Sequence, residues 1–197
     1  MRALPESTKA LVLCKSSTSQ TNHVYHNVAI ESRPIPSLKP GEILVRMTAI
    51  AFNRRDLWIR LGQYPGIALG SVLGSDGVGL SYSEMWILNA FLIDTVAGQV
   101  IGSFDPQDIL LRQRVFLVPM RGWESDPNAP ESDLGILGGV GRPPLGTFAE
   151  YVVVERDQVI LAPDHLDDIH LAAWPLGGLT AWRFDSNFLS VKISLAG

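Results

Sequence analysis

Cysteine is almost missing from this sequence: Cys14 is the single one. A disulfide framework within the chain is thereby excluded, a zinc site built on cysteines is nearly so, and a reducing compartment is expected. No block of basic residues occurs and the net charge is −4, which argues against nucleic acid as a partner. Long apolar runs are also missing. The most apolar window, Met85 to Ile93 ("MWILNAFLI"), is far short of the ~20 residues of a membrane-spanning helix, so a buried segment and no membrane partner are expected. The opening "MRALPESTKALVLCKSS" has an arginine but no sustained apolar core. No signal peptide is read there, and a cytoplasmic location is expected. No internal repeat is visible.

What the chain does have is glycine and proline, 18 and 13 residues, a balance that favours short β-strands with many turns. "KALVLCK" (Lys9 to Lys15) and "NVAIESRPIP" read as strands. After the Pro40-Gly41 turn, Ile43, Val45, Met47 and Ala49 alternate with Leu44, Arg46, Thr48 and Ile50, which predicts a strand with an apolar face. Asn53 follows that strand. "DLWIRL" (Asp56 to Leu61) has room for one or two helical turns, with Asp56 near the start, where a carboxylate is favoured, and Gly62 as the stop. The glycines of "ALGSVLGSDGVG" predict close backbone approach. "QRVFLVP" is a strand, Gly122 to Gly146 a polar loop with little to bury, and "TFAEYVVVERDQVILAP" two strands about a turn at Glu155–Gln158. From Asp164 the pattern turns helical, with Asp164 as cap and Leu166, Ile169 and Ala173 on one face.

Candidate chemistry is sparse. His23 and His26 have the spacing of a weak metal pair without a third ligand, and solvated histidines are expected; His165 and His170 flank a helix start. Cys14 reads as buried and inert. Arg54 and Arg55 read as solvated, and Asp56 as structural through its helix start. Asn53 and Tyr64 stand beside an apolar, aromatic run. The residues alone allow two readings: a strand end and a half-buried turn aromatic, or two neutral hydrogen-bond donors lining a site.

"KPGEILVRMTAIAFNRRDLWIRLGQYPG", "VLGSDGVG", "RVFLVP", "GTFAEYVVVERDQVILAP" and "DDIHLAAWPLGGLTAWR", in that order, resemble the catalytic domain of the medium-chain dehydrogenase/reductase superfamily, closest to its zinc-free quinone oxidoreductase-like branch. The match covers roughly residues 36–79 and 112–183. The implied fold is mainly β with some α, a GroES-like distorted β-barrel over residues 1–162. An atypical insert lies at about 80–105, a helical stub at 163–183, and an atypical tail at 184–197. The resemblance implies a following Rossmann domain that binds NADPH or NADH, and that domain is expected to be absent here. The only glycine-rich look-alike of its dinucleotide loop, "GILGGVGRPPLG", has the wrong spacing and precedes a strand.

The resemblance further implies an NAD(P)H-dependent reductase of a quinone, enone or carbonyl compound. Asn53 and Tyr64 would line its cleft as catalytic residues, and Thr180 would contact the nicotinamide end of the cofactor. Zinc is not expected: the positions of the zinc branch's ligands hold Asn53, Ser75 and Leu176, and the structural-zinc cysteines are missing. Asp76 stands where that branch has Glu, and a backbone or arginine partner is expected for it. The chain alone is expected to be inactive and to bind no cofactor. The alternatives are a non-catalytic isoform or gene-model fragment, associating with itself or with a full-length relative, and, third, a zinc alcohol dehydrogenase-like protein. Residues 81–97, 184–197 and the Gly122–Gly146 loop are expected to be the least ordered parts.

Overall fold

The computed structural model describes residues 4–16, 24–81, 100–105, 107–126 and 128–184. The expected disorder of 81–97 and 184–197 and the exposure of His23 fall, but for Ser81 and Phe184, outside them.

Strand β1 (Ser7–Cys14) pairs antiparallel with β2 (Asn27–Pro34). β3 (Glu42–Ala51) is the longest strand and the hub of a six-stranded sheet. It runs antiparallel to β4 (Asp76–Ser81), to β5 (Val100–Ser103) and to β9 (Tyr151–Glu155), while β6 (Arg114–Leu117) joins β4 to β10 (Val159–Leu161). A small ribbon pairs β7 (Met120–Arg121) with β8 (Gly135–Ile136). β4 touches β5 in parallel, and β1 is tied to the rest by bridges at Ala10–Ala149 and Val12–Val72. The result is the curled, mostly antiparallel half-barrel of a GroES-like domain, as the strand-rich patterning predicts.

The alternation read in β3 builds the core. Ile43 and Val45 meet Val115, Leu117, Val152, Val154 and Val159 inside the barrel. Leu110 and Leu137 complete that cluster. Leu137 overturns the expected bland loop: it is fully buried although it lies in the stretch read as polar with little to bury. A second cluster gathers Leu13, Ile59, Leu73 and Phe148 beneath helix α1 (Arg54–Arg60). Gly74 permits this packing. Its φ is +90°, and a Cβ there would lie 2.2 Å from the Phe148 ring.

The late helical segment is two helices. α2 (Asp168–Ala172) is capped by Asp167, whose carboxylate accepts the His170 N–H, and not by Asp164. The start therefore falls later than the sequence reading placed it, and the buried face shifts: Leu171 and Ala172 pack on Val78 while Ile169 is exposed. A register shift in β3 between Met47 and Ala49 turns the Thr48 hydroxyl onto Asp168 at 2.8 Å, and Arg114 holds the same carboxylate at 2.6 Å. α3 spans 175–184, with Pro175 in its first turn, where a missing N–H costs nothing. Among the described residues no helix is long and apolar enough to cross a membrane.

Candidate functional site

β3 ends at Ala51 and α1 begins at Arg54, so Asn53 sits at the corner between them. Its backbone N–H donates to the Asp56 carboxylate at 2.8 Å, and the Asp56 N–H returns to the Asn53 carbonyl at 3.0 Å. This fixes the helix start at Arg54, two residues before the expected Asp56–Leu61 segment, with Asp56 in the first turn. The side chain of Asn53 points elsewhere. Its Nδ2 donates to the Asp76 carboxylate at 2.9 Å and to the Ser75 hydroxyl at 3.3 Å. Ser75 and Asp76 are fully buried at the start of β4, and Asn53 is half-buried over them.

The second oxygen of Asp76 accepts the backbone N–H of Leu176 at 2.9 Å. Pro175 has no N–H, so Leu176 carries one of the first free donors of α3, and a buried carboxylate there satisfies it and faces the positive end of the helix. The Thr180 hydroxyl donates one turn back to the Leu176 carbonyl at 2.7 Å. Asn53, Ser75, Asp76, Leu176 and Thr180 thus form one hydrogen-bonded chain from the corner of the barrel to α3.

Burial pushes the Asp76 carboxyl up to about 6, against the donation from Asn53 and Leu176; the nearby Asp56 adds to the rise and Arg55 opposes it. Asp56 is also raised, first by burial, against the Asn53 N–H and the Arg55 charge.

Tyr64 lies apart from that chain. Its ring packs on the Leu13, Ile59, Leu73 and Phe148 cluster, and the Arg55 guanidinium stands over it at 4.8 Å. Arg55 is not solvated, as the sequence reading had it. It is buried and donates to the carbonyls of Leu137 and Ile136. The signal was available: Arg55 and Ile59 are four apart and share a helix face, so an arginine there lies on the apolar stripe. Arg54 is exposed.

The glycine-rich stretch from Gly135 is committed to the fold. The N–H groups of Leu137, Gly138, Gly139 and Gly141 go to the carbonyls of Pro119, Leu145, Val72 and Gly66. Those four donors are therefore spent internally and cannot cradle a pyrophosphate. Among the described residues no group of three His, Cys, Asp or Glu side chains gathers to hold a metal ion. His170 pairs with Asp167 at 2.7 Å, and Cys14 is half-buried in β1 with Glu31 3.9 Å from its sulfur.

The loop read as polar with little to bury docks on α3. Arg183 stands 3.9 Å over the Trp123 ring and donates to the Trp123 carbonyl at 2.7 Å. Glu131 closes the loop on itself by accepting from Ser125 and from the N–H groups of Glu124 and Asp126. The two partners Trp123 and Arg183 are too far apart in sequence for any local pattern to reveal them.

No family model matches the sequence. Among curated proteins it is 34% identical over 172 residues to the zinc-type alcohol dehydrogenase-like protein YogA of Leptosphaeria maculans, covering 86% of this chain and 44% of that protein. It is 27% identical to the trans-enoyl reductase of Aspergillus sclerotiorum, over 70% of this chain and 28% of the relative. Among solved structures, an NAD-dependent alcohol dehydrogenase superposes with a TM-score of 0.57 at 27% identity, covering 89% of this chain and 45% of that one. The chain spans less than half the length of the curated relatives it matches.

Proposed function

The chain belongs to the medium-chain dehydrogenase/reductase superfamily through its GroES-like domain, and from that premise we propose that the corner at Asn53 is the substrate side of an NAD(P)H-dependent, zinc-independent reductase of quinones, enones or related carbonyl compounds. The observation that carries this reading is the convergence of Asn53, Ser75, Asp76 and Leu176. The resemblance puts a zinc relative's ligands at the positions of Asn53, Ser75 and Leu176 and its Glu at that of Asp76, and here they hold an amide, a hydroxyl, a backbone N–H and a carboxylate with both oxygens already accepting N–H groups. Zinc prefers thiolate, imidazole or carboxylate, so this donor set does not suit it.

In this reading the chain's own residues supply neutral polar groups to a substrate oxygen. Tyr64 is half-buried and its hydroxyl makes no hydrogen bond with the described residues, so it is available to donate to developing negative charge. Asn53 is the second donor once its amide is freed from Asp76 and Ser75. Thr180 would face the nicotinamide end of the cofactor. The dinucleotide itself is held by a separate domain, because the glycine-rich segment from Gly135 spends the N–H groups of Leu137, Gly138, Gly139 and Gly141 on the fold, and residues 1–197 do not turn over substrate unaided. The expected result of a fluorescence titration with NADPH is no saturable change. Titration of ¹⁵N-labelled protein with 2-cyclohexenone is expected to shift the Asn53 side-chain and Tyr64 signals. Saturable NADPH binding, or enone shifts confined to other parts of the chain, would overturn this assignment.

A second reading, a non-catalytic form that associates with itself or with a longer relative, draws on one observation. Trp174, Trp182 and Phe184 on and beside α3 are largely exposed, and such a patch favours association. Concentration-dependent sedimentation tests it: a monomer at every concentration rules out self-association.

A further inference from the structure

We infer that Asp76 is the positioning residue for Asn53, and that a proton on Asp76 decides whether the Asn53 amide is held against the buried wall or released to face a ligand. The inference rests on the proposal that Asn53 serves as a donor.

As the side chains stand, Asn53 has nothing left to give. An amide has two N–H donors; one goes to Asp76 at 2.9 Å and the other to Ser75 at 3.3 Å. A donor spent on the protein cannot stabilise a substrate oxygen. The carboxylate is equally committed, with one oxygen on Asn53 Nδ2 and the other on Leu176 N. Add one proton to it and the balance fails. The carboxyl gains an O–H and loses an acceptor, so one of the two N–H groups faces a donor.

Leu176 cannot respond, because its N–H belongs to the backbone of α3 behind Pro175. Asn53 can. Turning its amide end for end brings Oδ1 to the new O–H of Asp76 and swings Nδ2 away from the wall. The turn takes the Asn53 side-chain oxygen away from the Asp56 N–H of the capping box, and the Asn53 backbone carbonyl, which accepts that N–H at 3.0 Å, keeps it satisfied. Asn53 is half-buried, while Ser75 and Asp76 are sealed behind it, so the released donor faces outward.

Among the described residues, the two charged side chains that act on Asp76 both lie on α1. Asp56 favours the proton and Arg55 disfavours it. The positive end of α3 disfavours it as well. Burial outweighs both, and the carboxyl changes charge near neutral pH, at about 6. Ser75 holds no charge and only accepts the second N–H.

The test uses the whole 197-residue chain and no ligand, so it stands or falls independently of the reductase assignment. In uniformly ¹³C,¹⁵N-labelled protein, the Asp76 carboxyl carbon and the Asn53 side-chain N–H pair are followed from pH 4.5 to 8. The Asn53 signals are assigned by their loss in Asn53→Gln. The expected result is one shared midpoint near 6 for both groups, and an Asn53 pair that exchanges faster with water below it. Ser75→Ala should keep the shared midpoint. Asp76→Asn should abolish the pH response of Asn53 while the backbone spectrum stays folded. Should that variant fail to fold, the comparison of the two signals in the unaltered protein decides by itself. An Asn53 pair that stays fixed while Asp76 titrates, or that titrates unchanged in Asp76→Asn, overturns the inference.

Discussion

The guanidinium of Arg55 lies 4.8 Å over the ring of Tyr64 while its N–H groups reach the carbonyls of Ile136 and Leu137. One buried cation therefore ties α1, the Tyr64 turn and the glycine-rich segment into a single wall. Removing it leaves two backbone carbonyls without a donor and a cavity beneath α1. Arg55→Ala is expected to destabilise the fold by about 3 kcal/mol, the cost of breaking a buried charged hydrogen-bond group. Arg55→Lys should recover only part of it, because an ammonium lacks the planar fork. Urea denaturation measures both; a loss of a few tenths of a kcal/mol in Arg55→Ala would contradict the arrangement.

Asp76 gives stability an unusual pH dependence. Its folded carboxyl is raised to about 6 from 3.8. The folded chain therefore binds the proton more tightly than the unfolded one. The stabilising contribution is full below about pH 4 and is lost as pH rises through 6, amounting to about 3 kcal/mol over that window. Asp76→Asn has no such group. The stability of the unaltered protein relative to Asp76→Asn should fall between pH 4 and 7 in chemical denaturation, and a relative rise across that window would show that the carboxylate is stabilised by ionisation instead.

Much of the fold was legible because it was written locally. β3 alternates, Asp56 stands at the third position of its helix, and β9 and β10 flank a short turn, so period and capping chemistry sufficed. Leu137 was not legible. It stands between glycines, in a polar stretch with no period, and joins a cluster that also holds Ile43, Val45, Val115 and Val159, far from it in sequence. α2 was placed one turn early because Asp164 and Asp167 are equally good caps in the sequence, and only packing against Val78 chooses between them. At the site, the sequence singled out Asn53, Ser75, Asp76 and Leu176 one by one. The bond from Leu176 N to Asp76, spanning 100 residues, has no sequence signature. Arg55 was misread because two adjacent arginines look alike in a string, although only one lies on the buried face.

Gly74 and Gly41 should respond very differently to alanine. Both have positive φ, +90° and +81°. A methyl at Gly41 meets nothing within 4 Å, whereas at Gly74 it meets the Phe148 ring at 2.2 Å. Gly41→Ala should cost only the backbone term, about 1 kcal/mol. Gly74→Ala adds steric overlap and should cost ~3 kcal/mol or more, or prevent folding. Thermal melting of the pair checks this, and equal losses would place Phe148 elsewhere.

Glu131 holds the docked loop together. Its carboxyl is drawn down to about 2, first by the Asp126 N–H and then by the Ser125 hydroxyl. Glu131→Ala should leave the N–H groups of Glu124, Ser125 and Asp126 exchanging at least about tenfold faster, while β3 and β9 keep their protection. Unchanged exchange at those three amides would mean that the Trp123–Arg183 contact orders the loop unaided.

Zinc binding at the Asn53 corner decides the proposed zinc-independent assignment. Metal analysis of protein purified without an affinity tag, before and after dialysis against micromolar zinc, tests it most directly. The arrangement of Asn53, Ser75, Asp76 and Leu176 predicts zinc well below one ion per chain in both samples, with the same melting temperature. One tightly held zinc per chain, lost in Asp76→Asn, would contradict it.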